Sequence, residues 1–298
     1  MSWFPGILGI WFKNKRDKGI LSFFICRWVN MELHVRKRFC SVCLMGLLGI
    51  LGLGCSADSG QADDGNGLND TMDVSQNRKS VGDSAADLLD GSRFPALHLE
   101  IFYVEGLKPS ATTLDNFESF LMERLHKPDG VSIMLTEISS PGQAVYSITD
   151  IRNLEDDIRT AYNQEGILKV FGLFIDGEYS ENTENGSVLG VAYRNTSFVI
   201  FADTIREFSR QPLAPSTAVL ETTVLDHEFG HLLGLVNAGT PLQSVHQDEP
   251  HGRHCTTEDC LMYWTAETGE GLINMISGGT IPGLDAACLA DLQANGGK

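Results

Sequence analysis

Basic residues are scarce in this 298-residue chain: 22 Lys and Arg stand against 39 Asp and Glu, a formal net charge of −17. That excludes a typical nucleic-acid binder, which needs a basic footprint to neutralise phosphates. The apolar run Phe39–Leu53, broken only by Ser41, stops short of the roughly 20 residues that a membrane-spanning helix needs. Internal repeats are absent, which excludes a solenoid or propeller. Cysteines number seven, and beyond residue 56 there are only Cys255, Cys260 and Cys288. Apolar residues at 42 % and charged residues at 20 % exclude disorder throughout, and the length fits one or two domains.

Charge is unevenly placed. Residues 1–55 hold 8 basic and 2 acidic residues, so the remainder holds 14 and 37. A basic head on an acidic body reads as a targeting segment ahead of an exported domain. Arg36, Lys37 and Arg38 precede the apolar run, which ends in Gly54-Cys55-Ser56. This resembles the lipobox of bacterial lipoproteins, which implies lipidation at Cys55 and a membrane anchor at the N-terminus, with an ordinary signal peptide or a short anchor as the alternative. Gly52 stands where that pattern has a bulky aliphatic residue. The expected location is the cell envelope or the outside of the cell. Met31 makes the better start, so residues 1–30 read as an extension or a mis-assigned start, and 31–55 as the signal. Residues 56–93 are rich in Ser, Asp, Gly and Asn and almost devoid of aromatic and β-branched residues. Such a stretch buries too little to offset its ordering entropy, so it reads as a flexible acidic tether.

The folded domain is expected over 94–298. Leu97–Val104, Val131–Ile138 and the strongly apolar Ile167–Ile175 read as strands. Thr113–His126 and Ile151–Tyr162 carry helical spacing. Gly177–Gly186 is polar and reads as a loop. Val188–Tyr193 and Ser197–Ala202 read as strands joined by a turn at Arg194-Asn195-Thr196. A long helix is predicted from an N-cap at Ser216 or Thr217 to Leu233, stopped by Gly234. The order gives an α/β (or α+β) architecture, a mixed twisted sheet with helices packed on it.

Chemistry concentrates on that long helix. His227-Glu228-Phe229-Gly230-His231 is an HExxH motif. Two histidines four apart share one helical face, so both imidazoles reach one metal ion. Zn²⁺ favours nitrogen ligands and, in catalytic sites, three protein ligands with one open position. Glu228 can take a proton from a water at that position. Five of the eight histidines fall between 227 and 254.

Gly234, three residues after His231, extends the pattern to one that resembles the metzincin metallopeptidases, where the glycine turns the chain toward a third histidine. Cys255-Thr-Thr-Glu-Asp-Cys260-Leu-Met262 matches the Cx₄CxM of the archaemetzincin branch. The resemblance implies a zinc-dependent peptidase acting on peptide or protein substrates. It also implies a small C-terminal subdomain and a Met-turn at Met262 beneath the metal. Two departures stand out. The expected third histidine is Asn237; in archaemetzincins that histidine directly precedes the first cysteine, which here points to His254, seventeen residues later, with His251, His246 and Asp248 as alternatives. The family's second, four-cysteine zinc site has only Cys255, Cys260 and Cys288 here, with Asp285 in place of the fourth. An exported domain sits where disulfides form, so a Cys255–Cys260 disulfide with Cys288 free is the expectation and a second metal site the alternative.

By the same resemblance, Gly190, Val191 and Ala192 lie on an edge strand that pairs with extended substrate, or else on an ordinary hairpin strand. Tyr263, one residue off the spacing, corresponds to a tyrosine that stabilises the oxyanion in some metzincins. The tether lacks a cysteine that could hold the site latent. Two other readings stay open: a zinc peptidase whose third ligand is a carboxylate such as Glu249 or Glu258, and a non-catalytic surface binding module, which Asn237 favours.

Overall fold

The computed structural model describes residues 73–183, 186–276 and 279–298. The signal-like segment, Cys55 and residues 56–72 lie outside the described residues.

The described chain opens with a 3-10 turn, Val74–Asn77, capped by Asp73, and a short helix α1, Ala85–Leu89. Both fall in the stretch read as tether, so the domain begins earlier than Phe94. Composition misled because this segment is held mainly by polar contacts. Only Leu88 and Leu89 are fully buried leucines in it. Asn77, also fully buried, donates from Nδ2 to Asn163 Oδ1, Lys169 O and Thr196 Oγ1 at 2.9–3.0 Å. Lys127 Nζ donates to the carbonyls of Asp87, Asp90 and Phe94 at 2.7–2.8 Å, closing the end of α1 as a cation does at a helix C-terminus.

Strand β1, Ala96–Val104, is followed by α2, Ala111–Arg124, whose cap Ser110 accepts from Thr113 N. Next come β2, Gly130–Ile138, the two-residue β3, Val145–Tyr146, and α3, Ile148–Ile158, which opens with a Ser147/Asp150 capping box. Strand β4, Ile167–Ile175, leads through the short β5, Glu178–Tyr179, to the hairpin of β6, Gly190–Arg194, and β7, Ser197–Phe201. Helix α4, Ala202–Ser209, starts at once, with no loop after β7, and α5, Thr217–Leu232, follows, capped by Ser216. Two 3-10 turns, Glu249–His251 and Trp264–Glu267, and helices α6, Gly269–Met275, and α7, Ala286–Ala294, complete the domain.

The main sheet runs β2-β1-β4-β7-β6. Its first four strands are parallel, and β6 is antiparallel at the edge. This is the mixed α/β sheet expected, with seven α-helices among the described residues. Strands β1 and β4 are central and almost wholly buried, as parallel strands covered on both faces are. Helix α5 lies against β6 and β7, and Phe117 of α2 meets Phe229 of α5 edge-on at 5.4 Å. Every residue of α5 from Leu220 to Leu232 is buried. A helix enclosed on all sides needs no polar stripe, so its His, Glu and Thr side chains are there for other reasons.

The edge hairpin is held by two polar clusters. Arg159 pairs with Glu155 at 2.7 Å with both side chains fully buried, and Arg194 of β6 pairs with Glu155 and Asp156. At the hairpin turn, buried Asn195 exchanges hydrogen bonds with Lys79 and donates to Gln76 O and Ser84 Oγ. The segment read as tether thus grips the turn that presents the edge strand.

Replacing Lys127 with Met should lower stability by about 2–3 kcal/mol, because the carbonyls of Asp87, Asp90 and Phe94 lose their common donor. Denaturant unfolding reads the loss, and hydrogen exchange should show residues 85–94 opening first. An unchanged midpoint would mean that the segment is held by other contacts.

Candidate metal centre

His227, Glu228 and His231 project from the last two turns of α5. Nε2 of His227 and Nε2 of His231 are 3.1 Å apart. His227 Nδ1 donates to Leu261 O at 2.7 Å, which leaves the Nε2 lone pair aimed at the shared point. Met262, the next residue, is fully buried. A Cβ on Gly230 would come within 2.4 Å of Met262 Sδ. Glycine between the two histidines therefore lets the methionine seat directly against the helix.

After α5 the chain turns at Gly234, φ +72°, where a Cβ would strike Thr240 N at 2.7 Å. Val236 and Asn237 continue in the left-handed region at φ 53° and 62°. Asn237 is exposed, and its side chain donates to Gln247 Oε1 rather than entering the site. The chain then loops out and returns where Arg253 donates to Asn237 O. The next residue is His254. Its ring centre lies 5.3 Å from that of His227 and 5.1 Å from that of His231, and those two are 4.8 Å apart. His254 Nδ1 donates to His251 O at 2.6 Å, while its buried Nε2 has no hydrogen-bond partner.

The alternatives to His254 lie elsewhere. His246 Nε2 faces Asp291 Oδ2 at 3.3 Å and Cys288 Sγ at 3.7 Å. His251 stacks on Trp264 and pairs with Asp248 at 2.6 Å. Glu249 and Glu258 are exposed. Tyr263 packs against Trp264 at 6.0 Å and is not among the residues lining the cleft around the histidines.

Glu267 is the residue that sequence reasoning missed. It ends the Trp264–Glu267 turn, and its Oε2 lies 3.5 Å from His254 Nε2 and 3.8 Å from His227 Nε2. One ligand atom from each of His227, His231, His254 and Glu267 falls within 4.8 Å of the others. No local pattern in the sequence marks it.

The electrostatics follow from burial and these neighbours. Burial, with charge on His254, pushes His227 down to about 4. Burial and the two neighbouring imidazoles also push His231 well below its usual range. Both rings are thus neutral and offer lone pairs. Burial opposes charge on His254, but Glu267 outweighs it and raises the pKa; His254 in turn outweighs burial and lowers that of Glu267. Glu228 is pushed well above the usual carboxylate range by burial and by the Glu267 charge, against the opposing Ala192 N–H.

Glu228 Oε2 accepts from Ala192 N at 2.7 Å, while its buried Oε1 has no partner. Gly190 permits this approach: a Cβ there would lie 2.7 Å from Val224 and 2.8–2.9 Å from Glu228. Val191 and Ala192 of β6 line a cleft of about 430 Å³ with Glu228, His231 and His254. Ser80 and Val81, from the stretch read as tether, form part of its wall.

Behind the Met262 turn lies a second cluster. The expected Cys255–Cys260 disulfide is not formed; all three cysteines are free and buried. Their sulfurs and an oxygen of Asp285 lie within 4.8 Å of one another. The backbone N–H groups of Met262 and Asp285 both donate to Cys260 Sγ at 3.4 Å. Hydrogen bonds from Cys260 and Cys288 pull the Cys255 thiol far down, and donation to Cys255 pushes Cys260 up to about 12. The compartment argument failed on geometry, because three thiols and a carboxylate converge here as a ligand set for a metal such as zinc.

Gly230→Ala should lower stability by about 1–3 kcal/mol through overpacking against Met262. The penalty should shrink by at least about 0.5 kcal/mol in a Met262→Ala background, since the two groups touch. A double-mutant cycle in denaturant measures this, and strict additivity would show that Met262 does not press on the helix at that point.

A scan against protein-family models returns no match for this chain, and a search of curated proteins returns none. Among solved structures it is similar to archaemetzincin from Methanopyrus kandleri, with 18 % identity and a TM-score of 0.44, over 67 % of this chain and 96 % of that one. It is also similar to metalloproteinase-II from Bacteroides fragilis, with 14 % identity and a TM-score of 0.39, over 71 % of this chain and 60 % of that one.

Proposed function

We propose that the chain is a zinc-dependent peptidase in which His227, His231 and His254 hold the metal and Glu228 is the general base. The observation that supports this best is the meeting of the three imidazoles at one buried point, with His254 Nε2 left without a hydrogen-bond partner. That nitrogen faces the Glu267 carboxylate at 3.5 Å, too far for a good hydrogen bond, and a metal ion between them would satisfy both. When bound there, Zn²⁺ supplies a Lewis acid and lowers the pKa of a bound water.

The remaining parts fall to the protein. Ala192 N–H holds Glu228 Oε2, which leaves Oε1 to take a proton from the attacking water and return it to the leaving amine. Strand β6, at the edge of the sheet, offers its free side to an extended peptide, a mode that relies on backbone hydrogen bonds rather than on side-chain identity. The free thiols and Asp285 are suited to a second, structural metal. The N-terminal sequence supports export with lipid attachment at Cys55; labelling with a fatty acid should be lost in Cys55→Ala.

Asn237 is the feature that favours a non-catalytic module. With His254 beside the other two histidines, that departure no longer argues for an incomplete site.

Elemental analysis and digestion of a peptide library test the proposal together. Asn237→Ala should keep the zinc content of the parent, while His254→Ala should lose one equivalent. Glu228→Gln should keep the metal and lose about 100-fold or more in cleavage rate. Full cleavage by Glu228→Gln, or zinc indifferent to His254, would overturn it.

A further inference from the structure

Glu267 takes no part in the proton transfer assigned to Glu228, yet its carboxylate stands beside the histidine cluster. Its Oε2 is 3.8 Å from His227 Nε2 and 3.5 Å from His254 Nε2, and the Nε2 atoms of His227 and His231 are 3.1 Å apart. Four tetrahedral ligands, each about 2.0–2.1 Å from zinc, lie about 3.3–3.4 Å from one another. The spacing therefore matches a fourth corner of such a site. A carboxylate that merely orients a ligand histidine bonds its other ring nitrogen. In His227 and His254 that nitrogen, Nδ1, is already bonded to Leu261 O and His251 O.

The placement is also fixed by the backbone. Leu189 N–H donates to Glu267 O at 2.9 Å, Val188 and Thr268 form an antiparallel bridge, and Gly269 N–H donates to Ser187 O at 3.0 Å. The residues leading into β6 thus hold the stem of Glu267. The carboxylate can leave only by rotating its side chain, which is 28 % exposed and lines the cleft.

We propose that Glu267 is a fourth protein ligand of the metal and fills the corner that a hydrolytic zinc site keeps open. The resting site is then closed, and turnover requires the carboxylate to swing into the cleft. The turnover part rests on the peptidase reading; the ligand part does not.

Cobalt substitution and zinc competition test this on the full chain. Zn²⁺ affinity is measured against a chelator for the parent, Glu267→Gln and Glu267→Asp. The visible spectrum of the Co²⁺ form is read as a difference against His227→Ala, which removes the signal of cobalt held by cysteines. Circular dichroism checks that each variant is folded, and Glu267→Asp keeps a carboxylate should Glu267→Gln fail to fold.

Glu267→Gln should weaken zinc binding about tenfold or more, and Glu267→Asp less. Azide should perturb the cobalt spectrum of Glu267→Gln at concentrations that leave the parent unchanged. Equal zinc affinity with an unaltered cobalt spectrum, or azide entering the parent as readily, would overturn the inference. If these signatures appear but the parent cleaves no peptide, the ligand assignment stands and the peptidase reading falls. If the parent cleaves peptides and the signatures are missing, the Glu267 inference alone falls.

Discussion

The hydrogen bond from His227 Nδ1 to Leu261 O joins the two halves of the site. On one side is α5, enclosed by the sheet and by α2; on the other is the turn through Cys255 and Met262. The bond sets the tautomer of His227 and fixes how far the turn stands from the helix. Gly230 and Met262 complete the fit, since any side chain at Gly230 would force the two apart. The turn is itself anchored from behind. Cys255 N–H donates to Met262 O at 2.7 Å, Leu261 N–H to Gly283 O at 2.8 Å, and the Cys260 sulfur accepts from Met262 N–H. The cysteine cluster and the histidine cluster thus share one short piece of backbone, and disorder in one is felt in the other.

A second constraint acts on the edge strand. Charge is buried where β6 meets α3, with Glu155 facing both Arg159 and Arg194. Such a cluster contributes less to stability than its short distances suggest, because desolvation offsets much of the attraction. Its value here is positional. It fixes the hairpin on the domain while Gly190 lets the strand close on Glu228, so the base and the strand beside it are placed together.

Much of this was legible from the residues. Apolar runs mark β1 and β4 because those strands are almost wholly buried, and alternation marks β2 because its side chains are in turn half-buried and exposed. The HExxH spacing marks the first two imidazoles because a helix converts spacing into a shared face. What was not legible depended on contacts between distant residues. Residues 73–93 looked unable to fold because composition counts apolar residues and misses an asparagine and a lysine that satisfy backbone groups across the domain. Helix α4 was hidden because β7 runs into it without a turn, and Ala202 fits either element. The free cysteines and their convergence with Asp285 match the alternative that the sequence offered, which the compartment rule had set second. Glu267 belongs to a turn whose sequence carries no pattern, and only the fold brings it to the imidazoles.

The detour between Asn237 and His254 separates two tasks that a shorter connection would combine. In a ring closed by a ligand, the entropy lost on closure grows only with the logarithm of its length. Moving the third imidazole from six residues after His231 to twenty-three costs roughly 1 kcal/mol on that scale. Arg253 on Asn237 O and the bridge between Gln247 and Cys255 tie the loop at its base, and Thr240 and His246 within it are buried, so its exposed side chains can vary with little effect on the cluster. Val245, next to buried His246, is almost fully exposed. The excursion is a place where the surface beside the cleft can diverge while the imidazoles stay in register.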